Sequence, residues 1–451
     1  MLGNREYFSL NMRILVLLIA ALVVSCGESA FFTDNIEDSC RKASSDYHGF
    51  QQCFDALDEE QFTRLLEPHV WVSSRDDPRS LADYVRVDLA NSERCTSKLA
   101  EGSDTTSVLF ANAMIAVQKG NYQTAVDIIN SIDNQLWKAV AKIEVHLETL
   151  NVDRFHDSLR GLTSSNGEYH RFYTLWGTYI FGDLRSVSNY DMEYRKSIPK
   201  ELLFSMQVVE YLVENRINEL TDYMTYLSET DSAAALVALA GARYALFGQA
   251  NTTAFLEQNT KYANSQGYRL ALAHYLMLAE NESDNVRGLK KFSDNINKCS
   301  SSAMWMRANL HYDLGDFIGL AALNYPVGED HQNYLYYNLL KAKLEYTFSK
   351  SKRLDTYENN MKKMAPNDQQ VLWFLHKLAI ARSNNDAALK VLQHMLEIDP
   401  YNINALFMVA ENHRNALSVK EFNHVTDQIQ SSHRFVNKEM LRQILEGLGS
   451  E

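Results

Sequence analysis

The sequence predicts an all-helical protein built from repeated helical hairpins, and three observations predict it. Beyond residue 35, apolar residues recur at three- and four-residue spacing, without the sustained alternation of a half-buried strand. Breakers are scarce, with 18 Gly and 6 Pro in 451 residues, while 46% of the chain is hydrophobic and 22% charged. Pro366 and Pro400 stand 34 residues apart, each after the apolar end of a helical pattern, where proline enforces a stop.

The hairpin is clearest between those prolines. Residues 371–380 and 387–396 each read as one helix, and the polar run Ser383, Asn384, Asn385 and Asp386 separates them. With Pro400 as the closing proline, Leu375 takes a large apolar position on the first helix, Ala388 a small position on the second, and Leu392 the next large one. This pattern resembles the tetratricopeptide repeat, a helical hairpin of about 34 residues. His376 and Met395 depart from it, standing where the family prefers a small residue. One repeat further on, Ala405 to Ala416 makes the next first helix with Ala410 at its small position, and Ser418 with Glu421 offers a capping box.

Upstream the resemblance thins. Gly120-Asn121-Tyr122 with Ala125, Gly315-Asp316-Phe317 after Ala308, and Gly241 with Tyr244 and Gly248 each resemble the turn or first helix of a repeat. Together they imply about ten helix pairs of roughly 34 residues stacked into a superhelical solenoid. The expected division is an amino-terminal helical region over 36–105, degenerate repeats over 106–328 and better-formed repeats over 329–451. A break is expected near 325–330, and a capping helix over 438–448.

The first 25 residues read differently. Ile14 to Val24 is an unbroken aliphatic run preceded by Arg13, the layout of a secretory signal. At about half the roughly 20 residues a membrane span needs, it is too short to cross. Met12 would be a natural start, giving the usual short basic segment before the run. Val23, Val24 and Ser25 lead into Cys26, and these four residues resemble the bacterial lipobox. That resemblance implies acylation of Cys26, a tether over 26–35 and anchoring by two or three chains, which is durable where one chain would be marginal. Gly27, where enteric bacteria place Asp to retain a lipoprotein in the inner membrane, implies the periplasm-facing leaflet of the outer membrane.

The formal charge of −13, which becomes −14 once Arg5, Glu6 and Arg13 leave with the leader, argues against a nucleic-acid partner. An exported chain permits disulfides. Cys40 and Cys53 flank a turn-like stretch and could bridge a hairpin. Cys95 and Cys299, about two hundred residues apart, are expected to be free buried thiols, because distant repeats rarely touch.

Signatures of catalysis are missing from the sequence. It has no paired-cysteine zinc motif, no His-Glu-x-x-His helix, no glycine-rich phosphate loop and no Gly-x-Ser-x-Gly elbow. The expectation is therefore a binding protein without enzyme activity, cofactor or metal. Its partner would be a protein, held in the concave groove lined by first helices, where the phase of the two prolines places Tyr336, Lys343, Trp373, Lys377 and Phe407. The family resemblance suggests a scaffold or assembly factor for pilus or secretion machinery. A regulator of peptidoglycan synthesis or envelope maintenance is the alternative, and a helical toroid acting on glycans, with paired carboxylates, is the reading from another class.

Overall fold

A computed structural model describes residues 77–434, apart from 92–94, 96–104, 163–165, 324–329, 350–352, 413–416 and single positions at 188, 191, 197, 199, 264, 280 and 433. The leader, Cys26, Cys40, Cys53 and the expected capping helix lie outside the described residues.

Every regular element among the described residues is helical. In chain order they are α1 (Pro78–Asn91), α2 (Thr106–Gln118), α3 (Tyr122–Asn130), α4 (Gln135–Thr149), α5 (Val152–Leu159), α6 (Gly167–Ile180), α7 (Leu184–Val187) and α8 (Met192–Lys196). There follow α9 (Lys200–Val213), α10 (Ile217–Glu229), α11 (Ala233–Gln258), α12 (Gln266–Met277), α13 (Glu282–Asn295), α14 (Ser301–Asp313) and α15 (Phe317–Ala321). The last six are α16 (Leu335–Leu344), α17 (Leu354–Met364), α18 (Gln369–Ala381), α19 (Asn385–Ile398), α20 (Ile403–Asn412) and α21 (Val419–Ser431).

The expected hairpin is α18–α19, and the expected capping box is formed at the start of α21 by Ser418 and Glu421. Ala125, Ala308, Ala388 and Ala410 are all buried, so the small positions do sit where helices approach.

The hairpins share one turn. The residue after the first helix's last turn is left-handed at Gly120, Leu150, Gly182, Asn215, Gly315 and Ser383. In each case the next N–H bonds back to the carbonyl five residues earlier, as Asn121 does to Ala116, Asn151 to His146 and Asn384 to Ala379. This six-to-one bond closes the helix and satisfies one of its orphan carbonyls. The following residue then opens the next helix, with Asn151, Asp316 and Asn384 capping through their side chains.

Gly248 makes the sharper break inside α11, with φ 81° and ψ 177°, so this long apolar stretch is two helices joined at a kink. From Gly120 to Gly248 the left-handed positions fall 30 to 33 residues apart. Gly315 and Ser383 follow at about twice that spacing. The repeat-like pattern thus runs through most of the described chain, well upstream of the two prolines.

A continuous apolar core runs from Leu81 to Leu378, and a smaller one joins Leu372 to Ile429, with α18 contributing to both. Helices pack mainly on their neighbours in sequence. The closest pairing is α12 with α13, where a Cβ on Gly288 would lie 2.7 Å from the carbonyl of Ala273.

The chain also returns on itself. Cys95 and Cys299, 204 positions apart, form a disulfide, which corrects the expectation of two free thiols. The physical reason is that six or so hairpins bring α14 back against α2 and α4. Ser302 donates to the carbonyl of Glu148, and the Ser300 hydroxyl to the Glu148 carboxylate at 2.9 Å. Next along the seam, Tyr334 donates to the Val117 carbonyl, the Gln123 N–H to Asp330 (2.7 Å) and Arg154 to Asn333 (3.2 Å). Further on, Arg434 pairs with buried Asp399 and donates to the Leu212 carbonyl (2.8 Å), while Asn215 donates to that of Ser431 (3.3 Å).

Candidate functional site: a basic cleft over helix α4

The groove expected from the sequence is only partly available. Tyr336 (1% exposed) and Phe407 (3%) are core side chains, on α16 and α20, and so offer no contact surface to a partner. Lys343 (7%) is turned inward onto the Asp313 carboxylate at 2.7 and 2.8 Å. These three placements correct the expectation. The aromatic rings fill space between successive helices, and a lysine beside an inward carboxylate pairs with it. Trp373 is half-buried against the smaller core, and Lys377 is exposed.

The carboxylates that meet inside the fold are structural. Glu144 accepts from Arg86 and from the Tyr173 hydroxyl (2.5 Å), and Glu148 from Gln118 (2.6 Å) and Ser300 (2.9 Å). Burial raises the Glu148 pKa, and it also opposes charge on Arg86, where the facing carboxylates Glu144, Asp83 and Glu148 prevail and push the pKa up. Among the described residues, no three His, Cys, Asp or Glu side chains are grouped to hold a metal.

The opposite face of α4 carries the site. Gln135, Lys138, Ala139, Lys142, Val145 and His146 fall at three- and four-residue steps and so form one stripe, turned away from Glu144 and Glu148. On one side stands α3 with Tyr122, Val126 and Ile129, and on the other α5 and its following turn, with Arg154, Asp157, Ser158 and Gly161. Between them is an open cleft of about 380 Å³. Since α3 and α5 are the second helices of successive hairpins, the cleft lies on the other side from the groove expected of the first helices.

Its charge is one-sided. Lys138, Lys142 and Arg154 line it, and none is in an ion pair among the described residues. Lys138 instead donates to the Asn130 carbonyl (2.7 Å), which holds its ammonium at the rim. The Arg154 guanidinium lies 5.0 Å from the centre of the Tyr122 ring, a cation–π arrangement. The one carboxylate of the lining, Asp157, is paired with Arg160.

His146, 8% exposed, has a buried Nδ1 with no hydrogen-bond partner. Burial first, then the positive field of Arg154 and Lys142, lowers its pKa to about 3, so the imidazole is neutral near pH 7. Val126, Ile129, Ala139 and Val145 supply apolar lining.

Sequence reading did not single out this cleft. The available signal was the four-residue spacing of Lys138, Lys142 and His146, which by itself describes any solvated helix face. Neither a protein-family model nor a curated protein matches this chain.

Proposed function

We propose that this chain is an exported, lipid-anchored, tetratricopeptide-like solenoid that holds a protein partner and performs no catalysis itself. The observation that carries this reading is the shared left-handed turn at Gly120, Leu150, Gly182 and Asn215, 30 to 33 residues apart, which recurs after longer intervals at Gly315 and Ser383. Arrays of this kind expose extended surfaces suited to binding other chains. Export and anchoring rest on the aliphatic run from Ile14 and on the Val23-Val24-Ser25-Cys26 junction. Binding is preferred over glycan cleavage because Glu144 and Glu148, the carboxylates brought together in the interior, are engaged by Arg86, Tyr173, Gln118 and Ser300.

Two measurements test the reading. Labelling with a fatty-acid analogue should mark the wild-type chain and not Cys26→Ala, and the variant should move from the membrane to the soluble fraction. Unchanged fractionation would remove the anchor. Photo-crosslinkers placed at exposed positions along the array should trap one discrete protein species at neighbouring positions. Adducts absent at every position would remove the scaffold.

A further inference from the structure

We propose that the cleft over α4 seats an acidic, carboxylate-bearing peptide segment of the protein partner. The inference rests on the scaffold reading and adds to it the place and chemistry of capture.

Charge complementarity identifies the occupant. Lys138, Lys142 and Arg154 line one opening of a chain whose formal charge is −13; none of them is in an ion pair among the described residues, and the one carboxylate of the lining, Asp157, is paired with Arg160. Three cations around one opening attract carboxylates by their summed field. Arg154 is already engaged by the Tyr122 ring and by Asn333, so its fork is oriented before the ligand arrives, and less rotamer entropy is lost in binding.

The interior selects a peptide. The aliphatic lining from Val126, Ile129, Ala139 and Val145 is matched to an apolar side chain of such a segment. The volume of about 380 Å³ is near the lower end of pockets that hold small ligands, which leaves room for a few residues of extended chain. A polyanion such as nucleic acid would need many more cations along a track than this opening provides.

The test uses the full chain and a short fluorescein-labelled peptide of alternating Glu and Leu, read by anisotropy. Its counterparts are the same peptide with Gln for Glu, and inorganic phosphate as competitor. The expected result is binding of the Glu peptide, weakened about tenfold or more by the Gln replacement, by Lys142→Glu and by Arg154→Glu, and weakened by added salt. Lys142→Glu changes an exposed side chain, so its thermal melt should match wild type. Lys377→Glu, on the exposed face of α18, should leave binding unchanged.

Equal affinity for the Gln peptide, full competition by millimolar phosphate, or loss of binding in Lys377→Glu but not Lys142→Glu would each overturn the proposal. If crosslinkers elsewhere on the array trap a partner while Lys142→Glu has no effect on that adduct, the scaffold stands and the cleft does not.

Discussion

The hydroxyl of Tyr334 donates a hydrogen bond to the backbone carbonyl of Val117, 217 positions earlier in the chain. Both groups are buried, Tyr334 completely. The bond joins the start of α16 to the last turn of α2, and it belongs to the same seam as the Gln123–Asp330 and Arg154–Asn333 contacts. Tyr334→Phe keeps the ring and removes the bond, so it should cost about 1 kcal/mol. Chemical denaturation should show the midpoint falling with little change in slope. An unchanged midpoint would mean that the seam does not contribute to global stability.

The Cys95–Cys299 bridge closes a loop of about two hundred residues, the largest reduction of unfolded-chain freedom that a single crosslink in this chain makes among the described residues. Reduction, or Cys299→Ser, should lower stability by about 2–4 kcal/mol. The readout is thermal melting with and without reductant. Cys299→Ser should melt low in both conditions, whereas wild type should fall to that level only when reduced.

Gly288 and Gly315 are glycines for different reasons. A Cβ at Gly288 would meet the Ala273 carbonyl and the Met277 backbone nitrogen, each at 2.7 Å, so Gly288→Ala must push α12 and α13 apart, at about 1–3 kcal/mol. At Gly315 there is open space but φ is +73°, so Gly315→Ala pays only for the left-handed backbone, about 1–2 kcal/mol. Gly315→Asn should recover part of that loss, since Asn tolerates this conformation, while Gly288→Asn should be worse than Gly288→Ala. Melting of the four variants separates the two causes.

His146 and His274 are buried and held neutral, each with its pKa brought down to about 3, mainly by burial. Their unfolded value is near 6.5, so between these limits the unfolded chain binds protons that the folded chain does not. Stability is therefore full above about pH 6.5 and is lost as pH falls towards 3, at up to about 1.4 kcal/mol per pH unit for each histidine. His274→Gln should flatten the pH dependence of the denaturation midpoint in this window. An equal slope in the variant would place the acid sensitivity elsewhere.

The fold was legible where local chemistry was strong. The α18–α19 hairpin, the capping box at Ser418 and the buried alanines at 125, 308, 388 and 410 all follow from spacing and residue type. The repeat was harder to follow upstream because its fixed feature is a backbone conformation. Leu150, Asn215 and Ser383 hold the left-handed position that glycine holds at 120, 182 and 315, so no single residue type marks the turn.

Contacts across the seam carried no local signal at all. Whether Cys95 meets Cys299 depends on the accumulated angles of every intervening hairpin. The burial of Tyr336 and Phe407 has a related cause. Aromatics on a first helix suit a binding face and a helix interface equally well, and the choice is made by how closely the next hairpin approaches. The cleft was hidden for the converse reason. Half-buried Lys138 and exposed Lys142 are ordinary helix residues until α5 places Arg154 in the same lining.

Because helices far apart in sequence meet across the seam, the chain cannot unzip hairpin by hairpin from one end. Residues near 430 help to hold residues near 212, and those near 300 hold those near 95 and 148. The helices near residues 95 to 148 therefore gain these partners only after some 150 to 200 further residues have been translated, and a stop before residue 299 would release a chain in which those contacts cannot form.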